Sequence, residues 1–451
     1  MPAHECRPYP HHSHLPFAHQ PLKALYVFQR LSTTLALVPC WALYYSVVPR
    51  SSRPRESWSL RQIINVKFTR RIYKITEVAG VTWETRDPQS EPPAKSLKET
   101  RFEWAEPLPK DLRTGILAGV ADFTRVGCYI WPKETSPQLV GDSKDIPIIG
   151  IFMHGGGYCH MSAHESSRTS RIPRKLLKKG YMSEIYSVEY RLLQHASFPA
   201  ALQDAATVYA HVVQRYQDHE RFKIVLIGDS SGGNLVLALT RWLRDEGTLR
   251  MPDGLLLLSP SCDISHALPE SPSSYVPRPN AKTDYLTDTP EPRALLQRAF
   301  LGFTNACTDK EEHERLMQIA HSEYVSPCSP RVFQEWSHSD IANDVDLCTP
   351  EDASASTLNV EDSPCRPSHK FGKLFENFPR TLLIVGDAER LVKEVKCLEE
   401  AMLRDNVALK AHWMEDAVHD VLIIANGWWD KTVVKKAWEV IGEWTTEFKR
   451  N

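Results

Sequence analysis

Residues 223–243 read KIVLIGDSSGGNLVLALTRWL. An apolar run runs through Gly228-Asp229-Ser230-Ser231-Gly232 straight into a helical pattern, the sequence form of a strand, nucleophile and helix joined by one sharp turn. That turn is strained and brings helix and strand close together, so it needs the small residues Gly228 and Gly232 on either side of Ser230. A phosphate-cradling βα turn fits less well, because the lysine and the G-x-G-x-x-G spacing are missing. The Gly-Asp-Ser of trypsin-like proteases belongs to β-barrels whose histidine lies upstream, whereas this serine sits in an α/β pattern.

Upstream, the strand-like run at 146–153 ends in His154-Gly155-Gly156-Gly157-Tyr158. Glycines at the carboxyl end of a strand expose backbone N–H groups, so two of Gly155, Gly156 and Gly157, with the amide of Ser231, are expected to hold an oxyanion. His154 is expected to brace that loop. Zinc binding by His154, His160 and His164 is disfavoured because no carboxylate or cysteine cluster completes a site.

Downstream, a serine hydroxyl needs a histidine to take its proton, and in this chain order the histidine follows the serine. His419, in HWMEDAVHDVL, comes after the last strand-like stretch and before the closing helical pattern. The orienting carboxylate is expected on the turn after the preceding strand, where LLIVGDAERLVKEV offers Asp387 and Glu389.

Strand-like runs at 124–130, 146–153, 185–189, 223–227, 254–259 and 380–385 alternate with helical patterns such as 201–216, which argues for a mostly parallel sheet covered by helices. The expected divisions are a tail and membrane anchor over 1–56, a helical cap segment over 57–110, core over 111–262, a cap insertion with a flexible acidic loop over 263–375, and core over 376–451. Uncharged residues at 31–48 reach the minimal length of a membrane span, but Ser32, Thr33, Thr34 and Pro39 dilute it. A buried helical hairpin or an in-plane anchor competes evenly with a span, and 57–74 suits an amphipathic helix on lipid or over the catalytic body. The five histidines of the first 20 residues read as a solvated tail.

The totals narrow the classes. Lys plus Arg number 54 against 56 Asp plus Glu, a formal net charge of -2 that gives no general attraction for nucleic acid. Ten cysteines are scattered without a C-x-x-C pair, and no N-x-[ST] sequon occurs, so thiols are expected reduced and the chain membrane-associated, for instance at the endoplasmic reticulum, or cytoplasmic rather than secreted.

With Ser230, His154 to Tyr158 and His419 in place, the chain resembles the hormone-sensitive-lipase-like α/β hydrolases, the group that includes arylacetamide deacetylase and fungal steryl acetyl hydrolases. The resemblance covers roughly 146–449 and is supported by Tyr190 to Leu192, Pro199 to Ala205, Leu255 to Asp263 and Val418-His419-Asp420. It implies an α/β-hydrolase fold with a mostly parallel sheet, and a cap built from the N-terminal segment and the 263–375 insertion. Alignment on Gly386 and Leu391 puts Glu389 at the family's acid position, so Glu389 is preferred over Asp387. Met161 stands where the family has a small glycine, and His160 replaces an apolar residue.

The expected activity is hydrolysis of short acyl esters of a bulky apolar alcohol through an acyl-enzyme, with Ser230, His419 and Glu389 as catalytic residues and no cofactor or metal. An acyltransferase with the same triad and a non-catalytic small-ligand receptor on the same scaffold are the alternatives.

Overall fold

The computed structural model describes residues 16–118, 122–134, 146–217, 221–268, 275–286, 296–303, 310–334, 373–424 and 427–450. The histidines at 4, 11, 12 and 14 and the acidic stretch at 349–368 lie outside these residues.

Eight strands form one sheet: β1 (Arg101–Ala105), β2 (Val126–Trp131), β3 (Ile148–Met153), β4 (Glu184–Glu189), β5 (Lys223–Asp229), β6 (Gly254–Leu258), β7 (Arg380–Gly386) and β8 (Leu409–Met414). Their order is β1-β2-β4-β3-β5-β6-β7-β8, and only β2 runs against the rest. The six expected strands appear within one to two residues of their expected bounds. β1 does not fit the helical cap expected over 57–110: its five residues pair antiparallel with β2 and extend the sheet at its edge.

Helices cover both faces. They are α1 (Leu22–Val47), α2 (Leu60–Ala79), α3 (Arg171–Lys178), α4 (Ala200–Arg215), α5 (Ser231–Glu246), α6 (Lys310–Ala320), α7 (Val392–Arg404), α8 (Val421–Ile424) and α9 (Lys431–Arg450). Strand periodicity divides each central strand between two cores. Ile149, Ile151, Ile224, Leu226, Leu255 and Leu257 pack with Leu202 and Ala205 of α4, Leu235 and Leu239 of α5, and Val395 of α7. Ile148, Phe152, Val225, Ile227, Leu256 and Leu258 pack with Ile172 of α3 and with Trp438, Ile441 and Trp444 of α9. Burial on both sides explains why these strands read as unbroken apolar runs; each such side chain contributes about 1.5–3 kcal/mol.

The N-terminal segment folds as the hairpin α1/α2 against the second core. Ser59 caps α2 with Gln62 in a reciprocal capping box. Trp58, 1% exposed, donates its indole N–H to the Asp416 carbonyl at 2.9 Å and meets the Trp429 ring edge-on at 5.7 Å. Of the three readings of 31–48, the membrane span falls: among the described residues no helix is long and apolar enough to cross a bilayer. Arg30 and the threonine pair within α1 bond across to Arg71 of α2, which is the polar content that dilutes the stretch. The described cysteines Cys40, Cys128, Cys159, Cys262, Cys328 and Cys397 are free thiols.

Candidate active site

The elbow leaves β5 at Asp229 and enters α5 at Ser231, with Ser230 at φ 52° and ψ -118°, a backbone conformation that L-residues rarely adopt. Close packing holds it there. A Cβ on Gly228 would stand 2.3 Å from the Gly232 carbonyl, and one on Gly232 only 2.0 Å from the carbonyl of Met153. The Ser230 N–H donates to the Leu258 carbonyl at 2.9 Å, and its carbonyl accepts from Ser261 at 3.0 Å. Both neighbouring strand ends thus set the angle at which the hydroxyl leaves the turn.

His419 lies on the loop after β8. Its Nε2 stands 2.9 Å from Ser230 Oγ across 189 residues of sequence, so the structure brings these two expected residues together. The loop after β7 approaches the same point: Ala388 N–H donates to the Ala417 carbonyl at 3.0 Å, and a Cβ on Gly386 would stand 2.2 Å from that oxygen. Of the two candidate acids on it, Glu389 is fully buried with Oε2 3.7 Å from His419 Nδ1. That is longer than a hydrogen bond. Glu389 Oε2 instead accepts from Ser259 Oγ at 2.6 Å, while Glu389 Oε1 and His419 Nδ1 are buried without a hydrogen-bond partner. Asp387 faces away, its Oδ1 accepting from Asp416 N–H at 2.7 Å and lying 4.0 Å from Arg55.

The loop after β3 carries the glycines, with Gly156 at φ 116° and Gly157 at φ 62°. Gly155 N–H is turned to the Asp229 carboxylate, and a Cβ there would meet that carboxylate at 2.3 Å. Gly157 N–H donates to Ser231 Oγ at 2.9 Å, with Tyr158 N–H at 3.4 Å from the same oxygen. None of these bonds uses the amides of Gly156 and Ser231. His154 braces this loop: its ring stacks on Tyr190 at 4.4 Å, its Nδ1 meets Gly155 O at 2.7 Å, and Tyr190 OH donates to its carbonyl at 2.6 Å. Burial pushes the His154 imidazole down to about 4, so it stays neutral near pH 7. His160 and His164 have other partners: Trp83 N–H donates to His160 Nδ1 at 3.2 Å, and His164 Nδ1 pairs with Ser166 Oγ at 2.7 Å. Met161, at φ 69°, takes the left-handed conformation in which glycine is favoured and donates its N–H to the Trp83 carbonyl at 2.8 Å.

Several side chains at the site were given no role there by the sequence reading. Asp420, at φ 46°, puts Oδ2 3.1 Å from His419 Nε2, the nitrogen that also faces Ser230. The only signal was a carboxylate next in sequence to the histidine. Burial alone would lower the His419 pKa, but the Asp420 and Glu389 carboxylates outweigh it and hold the imidazole well above its ordinary value. Burial, reinforced by the charge of Asp420, also raises the Asp229 carboxyl well above the usual range. Over the histidine, rings from three separate segments form a roof: Tyr285 lies 6.1 Å from His419, Tyr73 of α2 lies 5.2 Å from Tyr285, and His160 lies 6.4 Å from Tyr73. The insertion is pinned to the acid loop, with Thr283 Oγ1 donating to the Ala388 carbonyl at 2.8 Å and Asn280 Nδ2 to the Asp387 carbonyl at 2.8 Å.

A family model described as alpha/beta hydrolase fold matches residues 150–332, which span the glycine loop and the elbow but stop short of Glu389 and His419. The chain is 29% identical over 223 residues to esterase LipU of Mycobacterium tuberculosis, covering 48% of this chain and 69% of that one. It is 28% identical over 228 residues to an acetyl-hydrolase of Streptomyces hygroscopicus, covering 51% and 67%. The versiconal hemiacetal acetate esterase of Aspergillus parasiticus is 28% identical over 122 residues, and the match covers 27% of this chain and 37% of that relative. Among solved structures, brefeldin A esterase, a bacterial homologue of human hormone-sensitive lipase, superposes with a TM-score of 0.52 at 16% identity, covering 78% of this chain and 77% of that one. That likeness concerns the fold. The matched segment and the sheet order agree on an α/β-hydrolase fold, and the relatives that the chain resembles are esterases and acetyl-hydrolases.

Proposed function

We propose that the chain is a serine carboxylesterase that removes a short acyl group, such as acetate, from a bulky apolar alcohol. The observation that carries the reading is the 2.9 Å contact of Ser230 Oγ with His419 Nε2 beside a loop of glycine amides. Ser230 attacks the ester carbonyl carbon and its proton passes to Nε2. The carbonyl oxygen, now negative, is met by the amides of Gly156 and Ser231, with Gly157 joining if its N–H leaves the Ser231 hydroxyl. Collapse of the tetrahedral species expels the alcohol, which takes the proton from Nε2. A water activated by the same nitrogen then releases the acid and restores Ser230. Glu389 orients and balances the imidazolium, a role for which its carboxylate must close the present 3.7 Å to Nδ1.

A short acyl group is suggested by relatives named for acetyl and acetate hydrolysis. The bulky apolar alcohol is suggested by the Tyr285 and Tyr73 rings over His419, surfaces that favour apolar or aromatic groups. The test is turnover of p-nitrophenyl acetate against butyrate and octanoate, together with labelling by a fluorophosphonate. Wild type should be labelled and favour acetate, whereas Ser230→Ala should stay folded and be neither labelled nor active. Labelled Ser230→Ala protein would overturn the assignment, and a preference for octanoate would overturn the short-acyl reading.

A further inference from the structure

Helix α1 leaves a row of large apolar side chains exposed. A helix packed on a protein in water buries its apolar stripe and shows its polar side chains to solvent. In α1 the buried side chains are Thr34 and Tyr45; Trp41 and Tyr45 pack on the second core, and Arg30, Thr33 and Thr34 face the neighbouring helix. Arg30 Nε donates to the Arg71 carbonyl at 3.2 Å, and the Arg71 guanidinium donates to Thr33 and Thr34 Oγ1, each at 2.9 Å. Five large apolar side chains point away from the protein: Leu25 is 61% exposed, Phe28 70%, Leu35 64%, Leu43 69% and Val47 72%. Their spacing of three, seven, eight and four residues keeps them on one side of the helix.

Water does not favour such a face; single exposed leucines are ordinary, but five large apolar side chains along one uncharged side of a helix, with the small Ser32 and Ser46 among them, mark a surface that something covers. Charge decides what. No Asp or Glu occurs between Glu5 and Glu56, while Lys23 stands at the start of the helix and Arg50 just beyond its end. A second copy of this chain would bring the same positive charges to the contact, whereas lipid phosphates bring the opposite sign. No described helix is apolar enough to cross the bilayer, so the contact lies along its surface.

We propose that α1 docks in the plane of an anionic lipid bilayer, its Leu25, Phe28, Leu35, Leu43 and Val47 face sunk among the acyl chains and Lys23 and Arg50 at the level of the headgroups. The proposal is independent of the catalytic reading, because none of these residues belongs to the site. It is tested by co-sedimentation of the full chain with phosphatidylcholine vesicles that contain or lack phosphatidylserine. Wild type should pellet with the vesicles, and more strongly with phosphatidylserine at low salt. Leu35→Glu/Leu43→Glu should partition about tenfold less or weaker still, with unchanged unfolding temperature and unchanged turnover of a soluble ester. Phe28→Asp/Val47→Asp serves as a second pair should the first not fold. Wild type that stays in the supernatant overturns the proposal, as does a folded variant that binds as well as wild type. A wild-type dimer that either pair converts to monomer, without binding of vesicles, assigns the face to a second copy and overturns it equally.

Discussion

The loops after β5 and β7 bring Ser230 and Glu389, the proposed nucleophile and acid, to one imidazole by different physical means. At the elbow, backbone does the positioning: a left-handed Ser230 is wedged where Gly228 and Gly232 leave no room for a Cβ, and the hydroxyl arrives at hydrogen-bond distance, 2.9 Å. At the acid loop the backbone is equally close to its neighbour, but the last step is left to a side chain with three rotatable bonds. Glu389 stops 3.7 Å short and spends its nearer oxygen on Ser259. A site built this way has one member set by close backbone packing and one set by side-chain torsions, and substitutions on the two loops should differ accordingly.

The largest effect is expected on the fixed side. Ser230→Ala should reduce kcat for p-nitrophenyl acetate by about 10⁴-fold or more, with the unfolding temperature near that of wild type. Next comes the movable side. If Glu389 closes on Nδ1 during the reaction, Glu389→Gln should lower kcat by about 10³- to 10⁴-fold, the range expected when an imidazole loses its orienting charge. Asp387→Asn should change kcat by less than about threefold, since its carboxylate serves the Asp416 amide and Arg55 at a part-exposed surface. Steady-state kinetics on both variants decide the acid, and equal losses would mean that the contrast between the loops is misplaced.

Ser259→Ala sharpens the comparison. It removes the 2.6 Å donor from a fully buried carboxylate and should cost about 1–3 kcal/mol of stability in thermal or urea unfolding. It also releases Glu389 toward His419, so turnover should fall by less than about tenfold. A collapse of activity as deep as that of Glu389→Gln would make Ser259 a required member of the site.

The same division governs what was legible in the sequence. Features written in backbone demands were readable: Gly228 and Gly232 around Ser230, the three glycines after His154, and the apolar runs of strands buried on both faces. His419 was legible because chain order and its place after the last strand leave few rivals. Features written in side-chain geometry were not. Nothing local says that Tyr73 and Tyr285, 212 positions apart, share a roof, or that Ser259 holds Glu389. β1 was missed although Arg101-Phe102-Glu103-Trp104-Ala105 alternates charged and apolar side chains; five residues are a short signal, and the pairing with β2 is a tertiary fact. The apolar stretch at 31–48 was legible as uncharged but not as an outward face, because which side of a helix meets the protein depends on Arg71, more than twenty residues further on.

Asp420 supplies the smallest and most diagnostic test of the fixed side. Its Oδ2 and Ser230 Oγ compete for one nitrogen, at 3.1 and 2.9 Å. A neutral imidazole that keeps its hydrogen on Nδ1 for Glu389 presents a lone pair at Nε2, which repels the Asp420 carboxylate; an imidazolium attracts it. Asp420 therefore favours the protonated histidine, the form that cannot take a proton from Ser230, and the raised His419 pKa has the same sign. Glu389 acts in the same direction, and the buried acids Asp229 and Asp284 and the rings of Tyr73 and Tyr285 complete the surroundings. Activity should rise with pH as His419 loses its proton, with the acid limb of kcat/KM above the ordinary histidine value. Asp420→Asn should move that limb down by about one pH unit, so that the variant outperforms wild type at mildly acid pH and loses this advantage on the alkaline plateau. A limb that stays in place while the plateau falls would mean that Asp420 holds the loop rather than the proton.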